Sequence, residues 1–329
     1  MKNMKSRLLK ALGMLLPFSI LFVVPAAVLA GDTYPSKAIR LIIPFPPGGS
    51  NDIIGRPIGN QLSARLGKQV VVDNRGGAGA VLGTEMAAKS EPDGYTLLLI
   101  SASYTINRWL YKLPYDHEKA FVPIALLGSG PNALSVHPSV PANSVKELIA
   151  LAKKQPGNLI CGAAGAGSFM HLGSELFKMM AGIDFMIVQY KGGGPAMTDQ
   201  LGGHSHLTLS TLNQSVHLFQ AGKLRALGVG GKKRNARLPD VPTISEAGVP
   251  GYEASNWWGM LAPTGTPQTV VDRLYKELAA IMNSAEMKKI FEEQGADPDL
   301  MEPVKFDKFI DSETDKWGKV IKQANIKVE

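Results

Sequence analysis

Cys161 is the one cysteine among 329 residues, so the chain can form no internal disulfide. Its stability must come from a buried core, which a chain of this length can build without covalent staples. Metal-ligand sets are scarce as well. His204 and His206 would share one strand face, but no third ligand stands at a metal-site spacing, and neither a metal nor a cofactor is expected. Beyond residue 30 no run is long and apolar enough to span a bilayer. A hydrolase elbow is missing too: Gly165-Ala166-Gly167-Ser168-Phe169 lacks the glycine that G-x-S-x-G requires, and helix capping explains Ser168 more simply. Excess charge is also small. Lys and Arg number 35 against 28 Asp and Glu, but Lys2, Lys5, Arg7 and Lys10 lie in the first thirty residues. Without those four the balance is 31 against 28, a net +3, which does not suggest a nucleic-acid binder. The basic cluster at 231–237 reads as a solvated loop.

What is present begins with an export signal. The four basic residues form an n-region without acid, residues 11–24 form an apolar run broken by Pro17, and Ala26-Ala27-Val28-Leu29-Ala30 supplies small residues at a cleavage site. The expected arrangement is a signal peptide at 1–30, cleavage after Ala30, and a soluble periplasmic product.

The remaining sequence alternates short β-rich runs with helical patterns. Ile54, Ile58, Leu62 and Leu66 recur at four-residue spacing, and Ser144-x-x-Glu147 is a capping box. Such alternation predicts α/β architecture with parallel sheets and helices on both faces. The stretch 131–252 holds its own set of units. The helices predicted at 267–283, 285–294 and 303–324 follow no obvious strands, so they are expected to return to the first unit. Two domains result: 31–130 with 253–329, and an inserted 131–252. Trp257-Trp258 reads as core at their junction.

Ligands of open α/β sheets bind beyond the carboxyl ends of strands, where loops meet helix starts. Four loops qualify. Pro44-Phe45-Pro46-Pro47-Gly48-Gly49-Ser50-Asn51-Asp52 follows the first strand, and Gly162-Ala163-Ala164-Gly165-Ala166-Gly167-Ser168-Phe169-Met170-His171 occupies the same position in the second domain. Glycine admits close backbone approach, and the free N–H groups and dipole of each following helix favour an anion. Two opposed sites suit a ligand with a carboxylate at each end. Tyr190-Lys191-Gly192-Gly193-Gly194-Pro195 and Ser101-Ala102-Ser103-Tyr104-Thr105-Ile106-Asn107 complete the set. Ser50, Ser103, Asn107, Tyr190 and Gly192 are its candidate ligand contacts.

The first three of these loops, at 44–52, at Gly167-Ser168-x-x-His171 and at 190–195, with Asn74-Arg75-Gly76-Gly77-Ala78-Gly79, Pro92-Asp93-Gly94-Tyr95-Thr96-Leu97, Leu238-Pro239-Asp240-Val241-Pro242-Thr243 and Ala262-Pro263-x-Gly265-Thr266-Pro267, resemble the extracytoplasmic receptors of tripartite tricarboxylate transporters, the Bug solute receptors. The resemblance runs in order from Tyr34 to the C-terminus. It implies a Venus-flytrap fold with a cleft between two domains, and a di- or tricarboxylate, acidic amino acid or aromatic acid as ligand. It also implies a monomer that engages integral membrane transporter subunits transiently. The family's carboxylate-holding positions match Phe45, Gly48, Gly49, Asp52, Gly167, Ser168 and His171. One departure stands out. Many members carry an acid after the strand at Leu207, where this chain has Leu209-Ser210-Thr211-Leu212-Asn213. Ser210 and Thr211 are therefore candidate contacts, and an α-amino acid ligand is disfavoured.

The alternative reading is a nicotinamide-dependent enzyme using Gly77, Gly79 and Gly83 as a loosened dinucleotide fingerprint. Such a site wants an acid at the end of the next strand, and Ile100-Ser101-Ala102-Ser103 offers none. No catalytic residue is assigned.

The leader generates a prediction. Exported protein should begin at Gly31, as read by intact mass or N-terminal sequencing. Retention of residues 1–30 in a membrane fraction would contradict it.

Overall fold

The computed structural model describes residues 34–327, so the leader and its cleavage site lie outside the described residues. β1 (Ile39–Ile43) leads through a Pro/Gly turn into α1 (Ser50–Leu66), which buries Ile54, Ile58 and Leu62 and ends at Gly67 with φ +66°. β2 (Val70–Asn74), α2 (Val81–Ala88) and β3 (Thr96–Ser101) complete a parallel unit with β1 at its centre. α3 (Ser103–Leu110) follows immediately, where the sequence suggested only a loop.

Next comes β4 (Phe121–Val136), a long strand, and then α4 (Val145–Lys154). The Ser144 hydroxyl caps α4 by accepting the Glu147 N–H at 3.2 Å, while the Glu147 carboxylate accepts the Asn143 N–H at 2.7 Å. β5 (Ile160–Ala163), α5 (Phe169–Ala181), β6 (Met186–Gln189), α6 (Gly193–Leu201), β7 (Leu207–Thr211), α7 (Leu212–Gln220) and β8 (Arg225–Val229) form the next block. The chain closes with β9 (Ser255–Pro263), α8 (Gln268–Asn283), α9 (Ala285–Glu293), β10 (Asp297–Met301) and α10 (Pro303–Gln323).

β4 is the seam of the structure. Up to Pro131, which lies opposite Ser255, it pairs antiparallel with β9; from Asn132 onward it pairs antiparallel with β7 on one side, and from Ala133 with β8 on the other. One strand thus serves two sheets. β3 also meets β9 antiparallel, whereas β5 pairs in parallel with both β6 and β7. The expectation of purely parallel sheets is corrected here: both sheets are mixed. The cause is β4 and β9, which the alternation pattern does not reveal. Pro123, Gly128, Gly130 and Pro131 interrupt the β-rich signal of β4, because proline cannot donate to a ladder and glycine offers no side chain to read.

The terminal helices are likewise not without strands, since β9 carries Trp257-Trp258 and β10 separates α9 from α10. α8 packs against α1 and β4, and α10 against α3 and β4. Both tryptophans are buried. Successive strand residues face opposite sides, so the pair anchors two layers. Trp257 meets Phe306 of α10 edge-on at 5.9 Å and donates its indole N–H to Glu313 at 3.2 Å; Trp258 meets Phe291 of α9 edge-on at 6.1 Å.

Phe306 lies directly over Gly259, where an added Cβ would run into its ring. Gly259→Ala is therefore expected to destabilise the protein by about 1–3 kcal/mol through overpacking. Urea denaturation should show a lower midpoint at an unchanged m-value. Parent-like stability would mean that Phe306 can withdraw without loss.

Candidate functional site

The first turn of a helix leaves N–H groups that no carbonyl of the same helix can reach. In this fold the starts of α1, α3, α5, α6 and α7 all face one cavity of about 30 Å³. α1 contributes Ser50 and Asn51 beside its cap Gly49, and α3 contributes Ser103; α5 brings Phe169 and Met170 with their cap Ser168. Gly193 opens α6, while Thr211 and Gln214 belong to the start of α7. Phe45, Ser101, Ala164 and Asn256 complete the wall, and no residue in it is charged.

Local hydrogen bonds explain why these pieces hold their places. Asp52 is a brace for the first loop. Its carboxylate accepts the Gly48 N–H at 3.1 Å, the Arg56 guanidinium at 2.6 Å and the Asn74 amide at 3.1 Å. Asn74 also donates to the Phe45 carbonyl at 2.9 Å, which fixes the aromatic at the cavity. The Ser50 hydroxyl donates to Asn213 Oδ1 at 2.9 Å, and Asn213 Nδ2 returns a bond to the Ser50 carbonyl at 3.1 Å, tying α1 to α7. Asn256 accepts the Ala102 N–H at 3.2 Å and donates to Thr211 Oγ1 at 3.3 Å, which joins α3 to the end of β7.

The α5 start is already partly satisfied. Ser168 Oγ accepts the His171 N–H at 3.2 Å, and Ser103 Oγ accepts the Phe169 N–H at 3.1 Å from the other side of the cavity. Two buried donors are not satisfied. Asn51 Nδ2 and Gln214 Nε2 have no partner among the described residues. Both residues line the cavity.

The candidate residues sort accordingly. Phe45, Gly49, Ser50, Ser103, Ser168 and Thr211 meet at the cavity. Gly48 and Asp52 sit behind it as the brace just described. Asn107 donates to the Gly79 carbonyl at 2.7 Å and packs against Gly167, whose φ of +74° and close contact admit no side chain. His171 lies one turn into α5, its Nδ1 accepting the Gly167 N–H at 3.2 Å. Gly192 presses on the Pro46 ring, where a Cβ would come within 2.6 Å of Cγ. Ser210 is turned away: it donates to Ser215 Oγ at 3.3 Å, and strand alternation gives the cavity to Thr211 instead.

Tyr190 borders a second, outer chamber of about 770 Å³, walled by Pro46, Tyr111, Lys191, Pro195 and the backbone of the glycine loops. Phe45 and Ala164 line both spaces. Asn51, Phe169, Met170, Ala164, Ser101 and Gly193 were within the loops singled out from sequence but not among the chosen contacts. Gln214 and Asn256 escaped altogether; an amide three residues after the cap Thr211 was the available signal for Gln214. Of the dinucleotide-like glycines, Gly79 is packed on the Ala166 carbonyl and Gly83 on Arg75 and Pro44, so close approach of protein backbone accounts for both.

Residues 54–326 match the family described as the tripartite tricarboxylate transporter family receptor. The chain is 36% identical over 307 residues to Protein BugT of Bordetella pertussis, covering 92% of this chain and 94% of that one. The solved periplasmic binding protein BugD superposes with a TM-score of 0.87 at 32% identity, covering 90% of this chain and 100% of that one. An R. palustris protein with adipate gives 0.87 at 37% identity, covering 89% and 99%. MatC from Rhodopseudomonas palustris with bound malate gives 0.83 at 27% identity, covering 88% and 100%. The fold is thus the α/β, two-domain periplasmic-binding-protein fold, and these relatives favour a receptor over the nicotinamide enzyme.

Burial pushes His171 down to about 4, with the positive charge of Lys178 adding to the shift. Glu175, at 3.8 Å, is itself pushed up by burial and offers little compensation. His117, stacked on Tyr104 at 4.3 Å, is also pushed down to about 4, mainly by burial. Below an unfolded value of about 6.5, the unfolded chain takes up protons that these rings refuse, so stability falls with pH from about 6.5 towards 4 and is full above that window. The expected outcome is a urea stability that is flat above neutrality and declines below about pH 6.5. His117→Phe combined with His171→Asn should flatten the upper part of that decline; an unchanged slope would contradict it.

Proposed function

The chain belongs to the tripartite tricarboxylate transporter receptor family, and from that premise we propose that it captures a small organic carboxylate in the periplasm for an integral membrane transporter. The observation that carries this reading is the convergence of five helix starts on one uncharged cavity. Each start carries roughly half a positive charge. Backbone N–H groups, hydroxyls and amide donors then hold an anion without any lysine or arginine. Charge-assisted bonds of this kind contribute about 1.5–3 kcal/mol each.

The cavity as it stands has room for only a couple of water molecules. An acid must therefore enter an opened form. We assign the opening to the two proposed domains, 31–130 with 253–329 and 131–252, bending where β4 passes from Pro131 to Asn132. On opening, the Ser50–Asn213 and Ser103–Phe169 bonds part; on closing over a ligand, its carboxylate takes over the Phe169 N–H and the Asn51 and Gln214 amides. Binding and closure are one event. The ligand class is a di- or tricarboxylate or an aromatic acid, and the protein acts as a monomer that meets its membrane subunits transiently.

No chemistry on the ligand is proposed. Ser168 has no base: the His171 ring that could serve one turn away is engaged by the Gly167 N–H. Bound acid is released unchanged.

A thermal-shift screen against organic acids tests the reading, since a ligand at a hundred times its dissociation constant adds about 2.7 kcal/mol. Asn51→Ala sharpens it. Removing an unpaired buried donor should leave the empty protein at least as stable, yet weaken the acid found in the screen about tenfold by calorimetric titration. Parent-like affinity in this variant would remove the cavity from the binding site.

A further inference from the structure

The inner cavity and the outer chamber differ in one respect that bears on ligand length. No charged residue lines the first, while Lys191 is the one charged residue lining the second. Lys191 is exposed, and among the described residues no carboxylate lies within ion-pair distance of it. Its backbone is nonetheless well placed. Tyr190 precedes it on the chamber wall, and Gly192 follows it, locked at φ +143° against the Pro46 ring.

Between the two ends the lining suits hydrocarbon. Phe45 stands on the shared wall, and beyond it come Pro46, Pro195 and Tyr111, whose hydroxyl is already given to the Ala166 carbonyl at 3.0 Å. The inner cavity accepts one anionic head and little more. A compact diacid would leave Lys191 out of reach. A chain of several methylenes would run past Phe45 and bring a second anionic group out beside the ammonium.

We propose that this receptor selects elongated acids carrying a second anionic group at the far end of the chain, with Lys191 as the residue that reads that group. The inference rests on the carboxylate-receptor function above, and it adds the length and distal charge of the ligand. Because Lys191 is exposed, its contribution is the modest one of a screened pair, about fivefold in affinity.

The test compares adipate with hexanoate, which has the same chain and one carboxylate fewer, by calorimetric titration of the mature protein. Parent protein should prefer adipate by about fivefold or more, and the preference should shrink with added salt. Lys191→Met keeps the length of the stem and drops the charge; it should bring adipate to the level of hexanoate and leave hexanoate unchanged. Lys191→Arg should restore the preference. Adipate binding that is indifferent to Lys191→Met overturns the proposal while leaving the carboxylate receptor intact, as does an equal loss for both acids. If neither acid binds the parent, the proposal is overturned, while the carboxylate receptor stands or falls on the wider screen of organic acids.

Discussion

An N–H group at the start of a helix can be satisfied only from outside that helix, and five helices of this protein start on the same small volume. Much else follows from that constraint. The loops before α1, α5 and α6 are rich in glycine, and Gly167 and Gly192 let Asn107 and Pro46 come close. The polar side chains on the wall are hydroxyls and amides, and none of the lining residues is charged. Two hydrogen bonds cross the cavity, from the Phe169 N–H to Ser103 and from Ser50 to Asn213.

The legible part of this site was the part written in local sequence. Gly49 before a polar first turn, Ser168 before an apolar helix and Ser144 with Glu147 each announce a helix start by residue type alone. What depended on long-range pairing was not legible. β4 pairs with β9 more than a hundred residues away, and its prolines and glycines hid it; without β4 and β9 the sheets looked purely parallel. Gln214 was missed because α7 itself was not foreseen, and Asn256 because nothing before Trp257 marks a strand that ends at the cavity. Ser210 and Thr211 could not be told apart without the register of β7, which turns one inward and the other out. Asp52 shows a different difficulty. An acid in a glycine loop before a helix looks like a ligand contact, yet its carboxylate holds Gly48, Arg56 and Asn74.

The outer chamber depends on the same loops. Pro46 sits between the inner wall and Gly192, so the backbone that shapes one space also fixes the other. A single strand common to both sheets adds to this economy of parts. Because β4 continues from one sheet into the next, a short stretch of backbone at Pro131 and Asn132 joins the two.

Under the proposed opening and closing, the two unpartnered amides bear on accuracy rather than affinity. A buried donor without a partner costs about 1–3 kcal/mol, and neither Asn51 Nδ2 nor Gln214 Nε2 has a protein partner among the described residues. Each such cost lowers the share of empty molecules in the closed shape by up to roughly a hundredfold, against the bonds that draw the walls together. A membrane partner that engages only the closed shape would then meet few empty carriers. Two silent amides would thus act as a proofreading device, suppressing false reports of cargo.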